Sequence, residues 1–333
     1  MRLLELTAGA PAVAMLGMCK NAGKTTALCR LIREYAAAGR TIGLTSIGRD
    51  GESRDLVTGT DKPPIYLYEG MLTASAEQLL PFCDVSREIV DLPGIHTSLG
   101  RVVVFRAKSD GFAQLAGPAI VEQLAPLRER LAAFGAECVL IDGALNRRSP
   151  AAGAADGVCI LSTGASLDPD LGRVVAETAF AARLLTLPET AAPGTAVGRF
   201  TLFRDPDAPG DGAEELPALF PALKRGGDGT LLVSGALTES QSLALLRSGA
   251  RLDGLRVVAG DGSRYLLKQE TFRRLEACGV RFAVLRRTRL AAVTVNPVSA
   301  GGWRFDGTEF LETMRAAVAA PVLNVEDEDG TEL

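Results

Sequence analysis

Gly17-Met18-Cys19-Lys20-Asn21-Ala22-Gly23-Lys24-Thr25-Thr26 decides how this chain folds. The apolar run Pro11 to Leu16 stands before it and reads as a buried strand. Ala27-Leu28-Cys29-Arg30-Leu31-Ile32 follows and reads as the start of a helix. A strand, a loop of small residues ending in Gly-Lys-Thr and a helix form a phosphate-binding loop. Successive backbone N–H groups and the positive end of the helix dipole converge there on an anion. Asn21, Ala22, Gly23 and Thr26 are expected to line the phosphates, Lys24 to reach the outer ones, and the Thr25 hydroxyl to sit on Mg²⁺. The first glycine is shifted: the usual spacing places it where Met18 stands, and Gly17 falls one residue early.

A phosphate loop needs an acid to hold Mg²⁺ or its water. Asp142 ends the apolar strand Cys138 to Ile141 and is followed by Gly143, which is the second signature of nucleotide hydrolases. The carboxyl ends of parallel strands form the ligand edge of an open sheet, so Asp142 is expected in the same crevice as Lys24. Gly48-Arg49-Asp50-Gly51-Glu52 follows a second strand and belongs to that edge too. Asp50, with Glu52 second, is the candidate for sensing the γ-phosphate through the metal; either acid equally suits a helix cap or a solvated loop. Lys62 stands before two prolines in an extended segment, where it meets a phosphate or simply faces solvent. Asn296, in Val293-Thr294-Val295-Asn296-Pro297, either contacts a base or caps a turn. No Asn-Lys-x-Asp guanine signature occurs, which favours adenine, and no Gly-x-Gly-x-x-Gly follows a strand, which disfavours a dinucleotide oxidoreductase.

The 333 residues allow one large domain or two ordinary ones. A hydrophobic content of 47%, a charged content of 23% and a net charge of −4 describe a globular chain without the basic surface of a nucleic-acid binder. The N-terminus lacks the pattern of a signal peptide and no apolar run reaches membrane-spanning length, so a cytoplasmic location and no membrane partner are expected. Six scattered cysteines without a C-x-x-C pair fit reduced thiols better than a zinc site. His96 is the only histidine, which makes a multi-histidine metal site or a serine-histidine triad hard to build, and it reads as a loop residue rather than a catalyst.

Strands alternate with helices from the loop onward: strands near 41–48, 102–105, 137–142 and 157–161, helices near 24–38, 119–134 and 169–184. That alternation predicts an α/β fold with a mostly parallel sheet covered by helices on both faces. The expected organisation is a nucleotide-binding domain over 1–187, a Pro/Gly-rich connection over 188–229, and a C-terminal α/β domain or sheet extension over 230–333, ending in an acidic tail. The loops 49–64 and 108–118 are long, as loops that meet a second substrate or a partner often are.

In order along the chain, Gly17 to Thr26, Thr45-Ser46-Ile47-Gly48-Arg49-Asp50-Gly51-Glu52, Lys62-Pro63, Ile141-Asp142-Gly143-Ala144 and Val295-Asn296-Pro297 resemble a family of P-loop NTPases. The family resembled is the P-loop subunit of the reactivase for adenosylcobalamin-dependent lysine 5,6-aminomutase and ornithine aminomutase. The resemblance implies an ATPase using ATP and Mg²⁺, with Lys24, Asp50 and Asp142 catalytic and Thr25, Asp50 and Asp142 at the metal. It also implies a second reactivase subunit and a B12-dependent aminomutase as partners, the ATPase promoting release of damaged cofactor. At fold level the loop and Asp142-Gly143-Ala144 are also similar to dethiobiotin synthetase, which makes an ATP-dependent ligase the alternative. That enzyme carries Lys-Pro directly after its second strand, where this chain has Arg49-Asp50.

Overall fold

Ala12-Val13-Ala14-Met15-Leu16-Gly17 forms strand β1, with its first five residues buried, because a central strand of a covered sheet meets side chains on both faces. Around it lie β2 (Ile42–Ser46), β3 (Leu72–Ala76), β4 (Arg87–Asp91), β5 (Gly100–Ala107), β6 (Cys138–Asp142), β7 (Val158–Gly164), β8 (Arg289–Asn296) and β9 (Val322–Asn324). Their order is β9-β8-β7-β1-β6-β2-β3-β5-β4, with the short strand His96–Thr97 on β5. All pairings from β9 to β3 are parallel, while β5 runs antiparallel to both β3 and β4. The protein is therefore α/β with a large, mostly parallel mixed sheet.

This computed structural model describes residues 1–47, 65–143, 157–205, 208–226 and 228–325. It divides into two units, Met1–Ala179 with Arg289–Leu333, and Phe180–Thr288. In the first unit helices cover both faces. Leu28, Leu31, Ile32 and Tyr35 of helix Lys24–Ala37 pack with Val13, Met15, Leu140 and Ile160. Leu124, Leu127 and Leu131 of helix Leu124–Ala133 pack with Ala12, Val139 and Ile141 on the other face. The alternation of strand side chains dictates this split.

The second unit has its own five-stranded sheet, ordered Asp211–Ala213, Phe200–Phe203, Gly229–Val233, Leu255–Ala259 and Arg281–Val284. Its last three strands are parallel. Phe272 stacks on Phe282 at 4.2 Å between ring centroids. The buried Tyr265 hydroxyl donates to the carbonyls of Val257 at 2.9 Å and Ala283 at 2.6 Å.

Several expectations are corrected. The 188–229 connection is built into the second unit: strand Phe200–Phe203, at the stretch 199–203 that reads as a strand candidate, pairs with Gly229–Val233, and Leu216, Leu219 and Leu223 enter the second core. Of the two readings open for the C-terminal part, residues 289–325 follow the sheet extension, since β8 adds to β7 in the first sheet, while 230–288 belong to the second unit. The helix expected over 119–134 begins at Leu124, after a 3₁₀ turn, and Ile120 is exposed. The 102–105 strand is antiparallel to its neighbours. His96 stands in a two-residue strand rather than a loop. No helix among the described residues is long and apolar enough to cross a membrane.

Candidate functional site

The site is built at the carboxyl ends of the first unit's parallel strands. β1 hands the chain to residues 18–23, where Asn21 takes φ 59° and Gly23 φ 86°. Gly23 is the N-cap of helix Lys24–Ala37, and no side chain caps that helix. A Cβ on Gly23 would lie 2.9 Å from the Asn296 Cβ, so both its left-handed backbone and its close packing require glycine. The helix start thus presents N–H groups with no side-chain oxygen competing for them, which is what an incoming anion needs.

The register of the sheet brings in the acid. Met15 of β1 is paired with Asp142 of β6, and Ser46 of β2 with Asp142 from the other side. The Lys24 Nζ lies 2.6 Å from Asp142 Oδ1 and also donates to the Gly143 carbonyl. The Asp142 side chain is only 12% exposed, and its carboxylate faces the Lys24 ammonium there. Lysine and acid, far apart in sequence, meet as expected. Thr25 is half-buried in the first helical turn, Ala22 is buried, and Asn21 and Thr26 are exposed. Cys19 in the loop has its thiol pushed up to about 11 by burial, so it stays protonated near neutrality and is a poor nucleophile.

Asp50, Glu52, Lys62 and the 144–156 stretch lie outside the described residues. Asn296 reaches the loop, yet its amide is already engaged: Nδ2 donates to the Asn21 carbonyl at 3.4 Å, and Oδ1 accepts from Val298 N at 3.1 Å. Asn296 therefore braces the loop and caps the following turn, with its second N–H and second lone pair left over. The 108–118 segment is less free than a long loop suggests. Gly111–Ala113 pairs with Ile65–Leu67, and residues 115–118 are buried. Gly117 donates to Ser46 Oγ at 2.9 Å, and a Cβ there would stand 1.9 Å from the Ser46 carbonyl oxygen. This segment is therefore pressed onto the end of β2, beside Asp142.

Two parts of the edge escaped the sequence reading. Ser162, Thr163 and Gly164 end β7; Thr294 donates to Ser162 Oγ at 2.9 Å and Thr178 to Thr163 Oγ1 at 2.8 Å. Gly164 leaves room for the loop, since a Cβ there would lie 3.0 Å from the Asn296 Cβ and 3.6 Å from the Ala22 Cα. The signal was the switch from apolar to small polar residues at a strand's end. The other part is the hairpin after Asn296, whose Gly301-Gly302-Trp303 was its only mark.

Among the described residues no group of three or more His, Cys, Asp or Glu gathers as a metal site. A hydroxyl and one carboxylate, Thr25 and Asp142, fit Mg²⁺ that takes its remaining oxygens from phosphate and water. Comparison with protein-family models, with curated proteins and with solved structures found no match.

Proposed function

We propose that the chain is a P-loop ATPase that binds Mg-ATP at the 17–26 loop and acts as a nucleotide switch on a partner protein. The observation that carries the nucleotide part is the Lys24–Asp142 contact of 2.6 Å, made across β1 and β6 at the carboxyl edge beside an uncapped helix start. In that role the 21–26 backbone holds the phosphates, Lys24 exchanges part of its contact with Asp142 for the outer phosphate, and Asp142 orients the metal's water. Mg²⁺, when bound, supplies charge neutralisation of the phosphates. The partner part rests on the Thr45-to-Glu52 stretch, which resembles the aminomutase reactivases, and makes a B12-dependent aminomutase or a companion reactivase subunit the partner. A ligand shifts such an equilibrium only by its differential affinity for the two states, so the ATP-bound and ADP-bound forms are expected to bind the partner unequally.

Calorimetry with Mg-ATP tests the nucleotide part. Losing a charge-assisted contact to phosphate predicts about a hundredfold weaker binding in Lys24→Ala. Unchanged affinity in a folded Lys24→Ala protein overturns the site. For the partner part, recovery of an inactivated aminomutase on adding this chain, its companion, ATP and fresh adenosylcobalamin is the expected outcome, lost with Lys24→Ala.

A further inference from the structure

The sheet order fixes which way a nucleotide would lie. Asp142 (β6), Gly17 (β1), Gly164 (β7) and Asn296 (β8) end four neighbouring strands, each about 4.8 Å from the next. Lys24 and Asp142 occupy the β6 side of the loop. Outer phosphates held there leave the ribose and base to extend the other way, over the ends of β7 and β8.

What stands on that side is the hairpin 297–305. It is tightly tied: Val298 bridges Arg304, Phe305 donates to the Pro297 carbonyl at 3.0 Å, and Ser299 to that of Trp303 at 2.9 Å. It is also fastened to the end of β7, since Ala300 donates to Ser166 Oγ at 3.1 Å and Ala165 to the Asn296 carbonyl at 2.9 Å. Trp303 is the single tryptophan of the chain. Its Nε1 donates to the Ala165 carbonyl at 3.0 Å, and its ring crowds Gly301, where a Cβ would come within 2.0 Å of it. The indole is thus fixed in place with its one polar group satisfied, yet it remains 38% exposed. A large apolar ring held to the wet edge of a sheet beside a phosphate loop has area to offer a flat partner.

We propose that Trp303 is the stacking platform for the nucleobase, and that the site reads the base by stacking rather than by hydrogen bonds from Asn296. Asn296 commits half of its amide's hydrogen-bonding capacity to Asn21 and Val298, whereas the whole exposed part of the indole is open to a ring. Every base has a π-face, so a stacking site tolerates a change of base. This rests on the nucleotide reading above and sharpens it to a site of relaxed base specificity.

The test uses the full chain, with ATP, GTP and inorganic tripolyphosphate, each with Mg²⁺, in calorimetry and in tryptophan emission. Because the chain has one tryptophan, emission reports that residue alone. The expected result is quenching by ATP and GTP but little by tripolyphosphate, with the two nucleotides binding within about threefold of each other. Trp303→Ala is expected to weaken both nucleotides about tenfold and leave tripolyphosphate unchanged, and Trp303→Phe to regain most of the loss. Nucleotide binding by the parent without quenching, or unchanged nucleotide affinity in Trp303→Ala, overturns the stacking role while leaving the phosphate site standing. Equal loss of tripolyphosphate binding in both variants overturns it in favour of a structural tryptophan. A parent that binds neither nucleotide nor tripolyphosphate overturns the nucleotide reading itself.

Discussion

Two aspartates separate what a motif says from what it does. Asp142-Gly143 ends an apolar parallel strand in the first unit, and Asp261-Gly262 follows another in the second. Both are buried, at 8% and 6% exposure. Asp261 turns back on its own loop: Oδ1 accepts from Ser263 N at 2.8 Å and from the Ser263 hydroxyl, capping a short 3₁₀ turn. Asp142 instead meets Lys24, whose ammonium also reaches Gly143, 119 positions along the chain. The same two-residue signature is a local cap in one unit and half of a long-range ion pair in the other. The difference lies in what the neighbouring strand delivers: β1 is followed by a glycine-turned loop with a lysine at the helix start.

That contrast predicts unequal costs. Removing one member of a buried pair leaves the other uncompensated, so Asp142→Ala is expected to cost about 3 kcal/mol of stability and to abolish Mg-dependent hydrolysis. Combined with Lys24→Ala the costs are expected to be far from additive, because each single change already breaks the pair. Asp261→Ala removes a turn cap and is expected to cost about 1 kcal/mol, with hydrolysis unchanged. Urea denaturation and a phosphate-release assay measure all four proteins. Equal costs for the two aspartates, or additive costs for Lys24 and Asp142, break the distinction.

The next effect is at the hinge of the contrast. Gly23→Ala forces a side chain into φ 86° and a Cβ to 2.9 Å from that of Asn296. The left-handed backbone alone predicts a loss of about 1–2 kcal/mol. Mg-ATP affinity should fall with it, since the turn sets the N–H groups of the helix start. Parent-like stability and affinity in Gly23→Ala, read by the same urea and calorimetric measurements, would mean that the loop's shape is not set by this residue.

How much of this was legible follows from where the information sits. The strands β1, β2, β6, β7 and β8 are apolar runs because they are buried on both faces, and their approximate places follow from the sequence. β3, Leu-Thr-Ala-Ser-Ala, hides its burial behind small and polar residues: Ser75 Oγ donates to the Gln114 carbonyl at 3.1 Å and accepts from Ala116 N at 3.0 Å, while the buried Thr73 Oγ1 makes no hydrogen bond. β4, Arg-Glu-Ile-Val-Asp, is an edge strand with its first three residues exposed and charges at both ends, the protective pattern that masks an edge. Both went unread for these reasons. The meeting of Lys24 and Asp142 was legible because Gly-Lys-Thr after one parallel strand and Asp-Gly after another place both at the same sheet edge. The return of 289–333 to the first sheet was not, since nothing local in Arg289 to Asn296 says which strand it will join. Trp303 was missed because no motif calls for it; only the hairpin's bonds to Ala165 and Ser166 place it.

The smallest effect compares the two interiors rather than their edges. In the first unit, the fully buried Cys159 thiol on β7 is pushed up to about 12 by desolvation. In the second, burial raises the Tyr265 phenol well above its ordinary value. Both groups are neutral when protonated, so the folded chain keeps a proton that the unfolded chain gives up near pH 9 for the thiol and near pH 10 for the phenol. The unfolded state then binds fewer protons, and stability must fall as pH rises, by about 1.4 kcal/mol per pH unit for each group. Below pH 8 neither contributes a slope. Urea midpoints from pH 8 to 11 should therefore decline in the parent, less steeply above pH 9 in Cys159→Ala, and less steeply only above pH 10 in Tyr265→Phe. If the units unfold separately, each variant alters the slope of one transition and leaves the other alone. If one transition carries both changes, the two cores melt together. A slope that neither variant alters would remove these two groups as its cause and leave the other thiols and phenols raised by burial, Cys19, Cys138 and Tyr35.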